Sequence, residues 1–208
     1  MSEELSPIFG KLFPLMFMMM GPIGVMPVFA GLTTAVDDQS RRRIAGQATL
    51  YAAAAVIIAV LLGASVLAAW GATPSSLMMA SGILLMIAAL RSMFSGGGSL
   101  PPADKTGKAE AIAIAPLAFP TIASPHAMGV LIIFVAYFPN FSGKAIVLAV
   151  ALGVLVLDYI AMRNAERVML IIGMTPLRVL GAVFGVLQVA LALEMIVSGL
   201  VQSKLLGG

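Results

Sequence analysis

The stretch MMMGPIGVMPVFAGLT, residues 18–33, sets Gly21, Pro22, Gly24 and Pro27 within seven residues of an otherwise apolar run. A second stretch, PLAFPTIASPHAMGV at 116–130, does the same with Pro116, Pro120, Pro125 and Gly129, and places Ser124 and His126 beside Pro125. Proline removes a helical hydrogen bond and clashes with the preceding turn, and glycine lets the chain leave helical dihedrals. Each run therefore reads as a membrane span broken near its middle. Pro22 and Pro125 take the favoured first position of the second half-helix. Backbone groups freed in hydrocarbon cost several kcal/mol each unless protein or a polar cavity satisfies them, so two such breaks read either as the lining of a site or as proline kinks packed by their glycines.

The rest of the chain agrees with a membrane reading. Of 208 residues 61% are hydrophobic and 10% charged, with a mean hydropathy of +1.07. A soluble domain needs about a quarter of its residues charged, which excludes a water-soluble globule. Disorder, collagen and coiled coil fall with it, because the charges are separated by long apolar runs without a heptad or Gly-X-Y period. There is no cysteine and one histidine, which leaves no thiol nucleophile and no metal site, and the methionines at 16, 18, 19 and 20 read as packing residues. No cofactor is expected. The net charge of +3 reflects loop lysines and arginines, and no nucleic-acid partner is expected; the partners are the lipid bilayer and a small-molecule substrate.

A spanning helix needs about 20 apolar residues. Charge-free gaps and the turn residues Gly71, Pro74, Ser75 and Ser76 give six spans, at 8–33, 48–70, 76–94, 111–138, 144–162 and 179–200. The expected fold is an all-α integral membrane protein. The segment SGGGSLPPADKTGK, 95–108, has linker composition, dividing the chain into a three-helix unit at 1–94, a linker at 95–110 and a second three-helix unit at 111–208. Cytoplasmic loops carry an excess of lysine and arginine. Arg41, Arg42, Arg43, Arg91, Lys105, Lys108, Arg163, Arg167 and Arg178 border one side, against Lys11, Lys144 and Lys204 on the other. Both termini are thus expected outside the cytoplasm, and the first span, lacking signal-peptide features, is expected to be retained. DDQSRRR at 37–43 reads as a solvated loop leading into the second span.

A shift of 103 residues lays GILLMIAALRSMFSG (82–96) on GVLQVALALEMIVSG (185–199), pairing Gly82 with Gly185 and Gly96 with Gly199, and the same shift lays Pro22 on Pro125. With three spans per half, the second half enters the membrane from the opposite face, which is an inverted repeat. Arg91 and its equivalent Glu194 then fall near opposite faces and should not pair. Breaks at equivalent positions of two halves point to a transporter's substrate site. Half-helix N-termini suit a carboxylate, and the facing carbonyl ends suit an ammonium group. The site is expected at Gly21, Pro22, Ile23 and Gly24 with Ser124, Pro125, His126 and Ala127, and a small zwitterion is its natural guest.

GPIGVMPVFAGLT, with arginines soon after, and PLAFPTIASPHAM in the second half resemble the MarC family of six-span bacterial membrane proteins, also called the small neutral amino acid transporter family. The resemblance covers essentially the whole chain. It implies an inverted-repeat secondary transporter of the bacterial inner membrane, moving glycine, alanine or similar small neutral amino acids by alternating access, with proton coupling. Two motifs depart from the family pattern: Gly21 stands where asparagine is usual, and Ser124, Pro125 and His126 replace Gly-Pro-Gly. Export of another small solute or drug, and a non-transporting interaction subunit, stay open as alternatives. An enzyme is not expected, since one histidine and scattered acids assemble no nucleophile and base.

Two residues are candidates for the coupling proton. His126 lies beside the expected cavity and has an unperturbed pKa near physiological pH; it either carries a coupled proton, donates to a substrate carboxylate, or sits neutral on a carbonyl exposed by the break. Asp158 lies in the fifth span, five residues before Arg163, where it either relays protons or sits as a carboxylate paired with arginine or reaching water. Gln188 and Glu194 lie about two turns apart on the sixth span with no evident partner.

Overall fold

A computed structural model describes residues 2–34, 36–94 and 112–203, so the linker expected at 95–110 lies outside the described residues. Every regular element among them is helical: α1 Ser2–Met20, α2 Pro22–Leu32, α3 Asp38–Ala69, α4 Pro74–Phe94, α5 Ala113–Ile122, α6 Pro125–Tyr137, α7 Phe141–Ile172 and α8 Met174–Gln202. Five stretches are long and apolar enough to cross a membrane: Gly10–Leu32, which runs across the first break, Asp38–Ala69, Pro74–Phe94, Phe141–Val168 and Val179–Gln202. The pair α5 and α6, bent by 55°, makes a sixth if taken as one span. The protein is an all-α integral membrane protein.

Local chemistry explains the ends. Residues 38–43 form the first turns of α3, not the solvated loop expected there, because the Asp37 carboxylate accepts from the amides of Gln39 and Ser40, both at 3.1 Å, closing two of the donors a helix start leaves open. Hydrogen bonds from Ser40 hold the exposed Asp37 carboxyl below the ordinary carboxylate range. At the other end of α3, Gly71 adopts φ +67°, its N–H reaches the Ala68 carbonyl and the Ala72 N–H reaches that of Leu67, a glycine stop that satisfies the last carbonyls. Thr73 and Ser76 then exchange side-chain-to-amide bonds at 3.2 and 3.1 Å, fixing the start of α4. The fifth span also outruns its expected end at 162. No proline interrupts 141–172, so α7 continues to Ile172 and stops only at Gly173, φ +77°. Arg163 and Arg167 consequently project from a helix.

Hydrocarbon offers no hydrophobic drive between helices, so close van der Waals packing holds a bundle together and favours small residues. Helix α3 buries Ile44, Ala48, Ala52, Val56 and Val60 while Leu50, Ile58, Leu61 and Leu62 face outward. The α4–α8 pair is the most extensive. It is antiparallel, and its glycines set the spacing: a Cβ on Gly82 would stand 2.9 Å from the Ala192 carbonyl oxygen, one on Gly199 2.8 Å from that of Ser75, and one on Gly185 2.8 Å from Met93. Arg91 and Glu194 are both exposed and do not pair; Glu194 accepts from Ser198 at 3.1 Å. Helix α7 packs against α3, α1 and α2, with Val147, Ala151, Val154, Met162 and Ala165 as its buried stripe. Met16, Met19 and Met20 of α1 belong to the core.

Candidate functional site

Both breaks fall where proline and glycine put them. Gly21 leaves the helix at φ −76°, ψ 170°, and α2 starts at Pro22; Ser124 does the same at φ −71°, ψ 144°, and α6 starts at Pro125. Neither Gly21 nor Ser124 supplies a side-chain cap, so the first turns lack the side-chain acceptor a helix start usually has, although the Gly24 N–H reaches the Gly21 carbonyl at 3.2 Å. Ahead of the second break, α5 is irregular: Ala115 and Phe119 have extended dihedrals, and the bonds to Pro116 and Pro120 are cis. Its carbonyls find local donors, Thr121 Oγ1 on Pro116 at 2.8 Å and the Ala123 amide on Ala118 at 2.9 Å.

The two halves meet at the end of α1. His126, 8% exposed, has Nε2 at 3.1 Å from Ser124 Oγ, and its ring meets the backbone carbonyl of Met19. Gln188 of α8 donates through Nε2 to the Met18 carbonyl at 3.0 Å. Carbonyls released by the first break are thus taken up by side chains of the second half. Of the residues expected at the site, Gly21, Ser124, His126 and Ala127 are buried, Pro22 and Ile23 half-buried, and Gly24 and Pro125 exposed. Gly24 borders open space, with no atom within 4 Å of a Cβ built there.

Asp158 stands apart from the breaks. It is fully buried, and neither carboxylate oxygen has a hydrogen-bond partner among the described residues. The pairing with Arg163 or contact with water weighed from sequence is not found. Five residues at 100° each place Arg163 about 140° around the helix from Asp158; it turns outward, 3.3 Å from the Tyr159 hydroxyl and over that ring. Asp158 instead falls within the buried stripe of α7.

A cavity of about 480 Å³ opens one turn beyond Asp158, between the end of α2 (Phe29, Thr33, Thr34), the start of α3 (Asp38, Arg41, Arg42) and α7 (Met162, Arg163, Glu166, Arg167). Arg41 organises it. Its Nη1 lies 2.8 Å from Glu166 Oε2 and its Nε donates to the Thr33 carbonyl at 2.9 Å, a cation on the C-terminal end of α2 where the helix dipole favours one.

Five or six apolar spans, two proline-started half-helices and arginines gathered at one end coincide with a family-level similarity. The model of MarC family integral membrane proteins matches residues 6–203. The chain belongs to the MarC family. No curated protein and no solved structure matches it.

In this MarC protein a Cβ at Gly21 would strike the Phe17 carbonyl oxygen, so the backbone found here requires glycine at this position. Gln188 is the residue that sequence reading left without a role. The available signal was an amide near the middle of a largely apolar span, which has to find a partner.

Proposed function

We propose that this MarC protein is a secondary transporter that moves a small neutral amino acid, of the glycine or alanine class, by alternating access around the two breaks. The observation that supports this reading is the pair of half-helices restarting at Pro22 and Pro125 with uncapped first turns, beside α1 carbonyls held by Gln188 and His126. The amide ends attract a carboxylate, because the dipole and the free N–H groups act together there. An ammonium group binds by taking the place of the Gln188 amide or the His126 ring on the Met18 and Met19 carbonyls. The buried, small residues Ser124 and Ala127 at the second break suit a guest with a small side chain.

The reading extends to the two halves acting as an inverted repeat, to the bacterial inner membrane, and to both termini outside the cytoplasm, supported by the arginines that gather at the cavity end of α2, α3 and α7. The protein acts as a carrier and not as an enzyme, with no cofactor. Coupling to protons belongs to the same reading, with His126 and Asp158 as the groups able to carry one.

Binding tests it directly. Ligand bound to the folded state raises thermal stability, and a titration of the purified protein with glycine, L-alanine and D-alanine should give a saturable, stereoselective shift. Gly24→Leu, whose side chain would enter the open space beside the first break, should remove that shift while leaving the unliganded melting temperature within a few degrees of wild type. An unchanged shift in Gly24→Leu would place the site elsewhere.

A further inference from the structure

Asp158 demands a role that packing does not supply. A fully buried carboxylate with neither oxygen hydrogen-bonded gives up its hydration and receives nothing in return. An apolar side chain in the same stripe would serve the fold better. Ionisable groups within a membrane span mark ion pathways and relays.

Its depth locates it. Phe29 of α2 and Met162 of α7 both border the arginine-lined cavity and are themselves buried, so they form its floor. Both helices run toward that end of the molecule. Asp158 precedes Met162 by one turn, about 6 Å along the axis, and one turn before Phe29 on α2 brings the chain to Val25, next to the break that begins at Gly21. Asp158 therefore stands at a depth between the cavity and the first break. Gln47 of α3, whose Oε1 also lacks a partner, lies at a similar depth: it follows Arg41 by six residues, and Asp158 precedes Glu166, the partner of Arg41, by eight, about 9 and 12 Å respectively.

Among the described residues no charge offsets it. On α7, Arg163 turns outward to Tyr159 and Glu166 is held by Arg41. On α3, Asp38, Arg42, Arg43 and Tyr51 are exposed, and Arg41 is committed to Glu166 and Thr33. Helices α2 and α5 carry no titratable side chain. Lys11 of α1 is exposed; on α6, His126 is held by Ser124 and Met19, and Tyr137 by Gln202; Glu194 of α8 is exposed and bonded to Ser198.

We propose that Asp158 is the proton-binding site of the transport cycle, loaded and emptied through the arginine-lined cavity when its Phe29–Met162 floor opens. With the floor closed, the carboxylic acid form carries no charge to desolvate and is the form this environment accommodates. When the floor opens, water enters, the O–H bond breaks, the proton passes to that water and the carboxylate is hydrated; the reverse reloads it. Proton occupancy is thereby tied to the opening of one face, which is what coupling requires. The inference rests on the transport reading for its purpose, but proton binding itself can be observed without substrate.

The experiment has two arms, both on the full-length protein. Infrared difference spectra recorded between acid and alkaline pH should show a carboxylic-acid carbonyl band at the high frequency of a group without hydrogen bonds, lost on alkalinisation and missing in Asp158→Asn. The absence of such a band from the wild type, which needs no variant to fold, would overturn the proposal, as would its survival in Asp158→Asn. In liposomes, Asp158→Asn should exchange labelled glycine across the membrane yet fail to accumulate it under an imposed proton gradient, falling to the exchange equilibrium. Proton-driven accumulation at the wild-type level in Asp158→Asn, or accumulation driven by sodium in place of protons, overturns the assignment. If the wild type exchanges no glycine, the substrate reading fails and the infrared arm still decides the site.

Discussion

Gln188 and His126 are side chains of the second half that finish hydrogen bonding begun in the first. Each occupies a carbonyl at the end of α1, the group that the proposed reading assigns to a substrate ammonium. A net hydrogen bond is worth about 0.5–1.5 kcal/mol. Gln188→Leu, which frees the Met18 carbonyl, should therefore tighten apparent substrate affinity by roughly 2- to 10-fold, measured as the midpoint of a ligand titration; a looser midpoint would make Gln188 a substrate contact and not an internal stand-in. His126→Gln keeps a donor beside Met19 and should alter affinity while preserving accumulation driven by a proton gradient, whereas loss of that accumulation with exchange intact would move the coupling proton from Asp158 to His126. Much of this scale was legible in the sequence. Pro22 and Pro125 start half-helices because a ring-locked φ and a missing N–H allow little else. The Met19 and Met18 carbonyls as partners of His126 and Gln188 were not legible, since those contacts join residues that meet only through packing of α1 on the second half, whereas Ser124 already stands two residues from His126. Asp158 was visible as an acid inside a span, but its isolation depends on the straight run of α7, which turns Arg163 away.

At the scale of elements, the glycines divide by what they face. Gly82 abuts the backbone of α8, and a larger residue there forces two helices apart; overpacking of this kind costs about 1–3 kcal/mol. Gly82→Val should lower the melting temperature in detergent. Gly46, inside α3 with nothing within 4 Å of a Cβ, should respond in the opposite sense, since alanine is favoured over glycine in a helix interior by about 0.5–1 kcal/mol. Equal responses at the two positions would deny that close approach of α4 and α8 organises the bundle. Asp37 offers a pH counterpart. Its carboxyl is held low by hydrogen bonds from Ser40, so its capping is fully present above the ordinary carboxylate pKa and is lost as pH falls through the lowered one. Melting curves of Asp37→Ala should differ from wild type near neutral pH and converge on it in acid. The helical pattern, the break points and the Gly71 turn were readable from periodicity and from proline and glycine placement. Helix lengths were not: an Asp cap pulled α3 back to residue 38, and the absence of a breaker carried α7 on to 172, because charged residues near a membrane surface remain helical where backbone bonding is unopposed.

For the whole molecule, the sequence supplied six spans, an apolar exterior and a biased distribution of arginine, all consequences of bilayer thickness and of the cost of burying charge. The cavity was out of its reach. It joins the end of α2, the start of α3 and the last turns of α7, segments separated by 125 residues at the Arg41–Glu166 pair, and no local pattern announces such a meeting. On the proposed transport reading three levels follow one another: the arginine-lined cavity, a buried acid one turn below its floor, and the start of α2 at Pro22 beyond. A carrier needs this order, with the coupling group placed so that opening one face changes its hydration before the substrate site is reached.

The most direct test is exchange of labelled L-alanine by the purified protein in liposomes loaded with unlabelled glycine, with Gly24→Leu in parallel. The account requires saturable, stereoselective uptake that overshoots its equilibrium level in the wild type and is absent in Gly24→Leu. Wild-type vesicles that take up no more L-alanine than empty ones, or that take up D-alanine equally well, would contradict a small amino acid held between the two breaks.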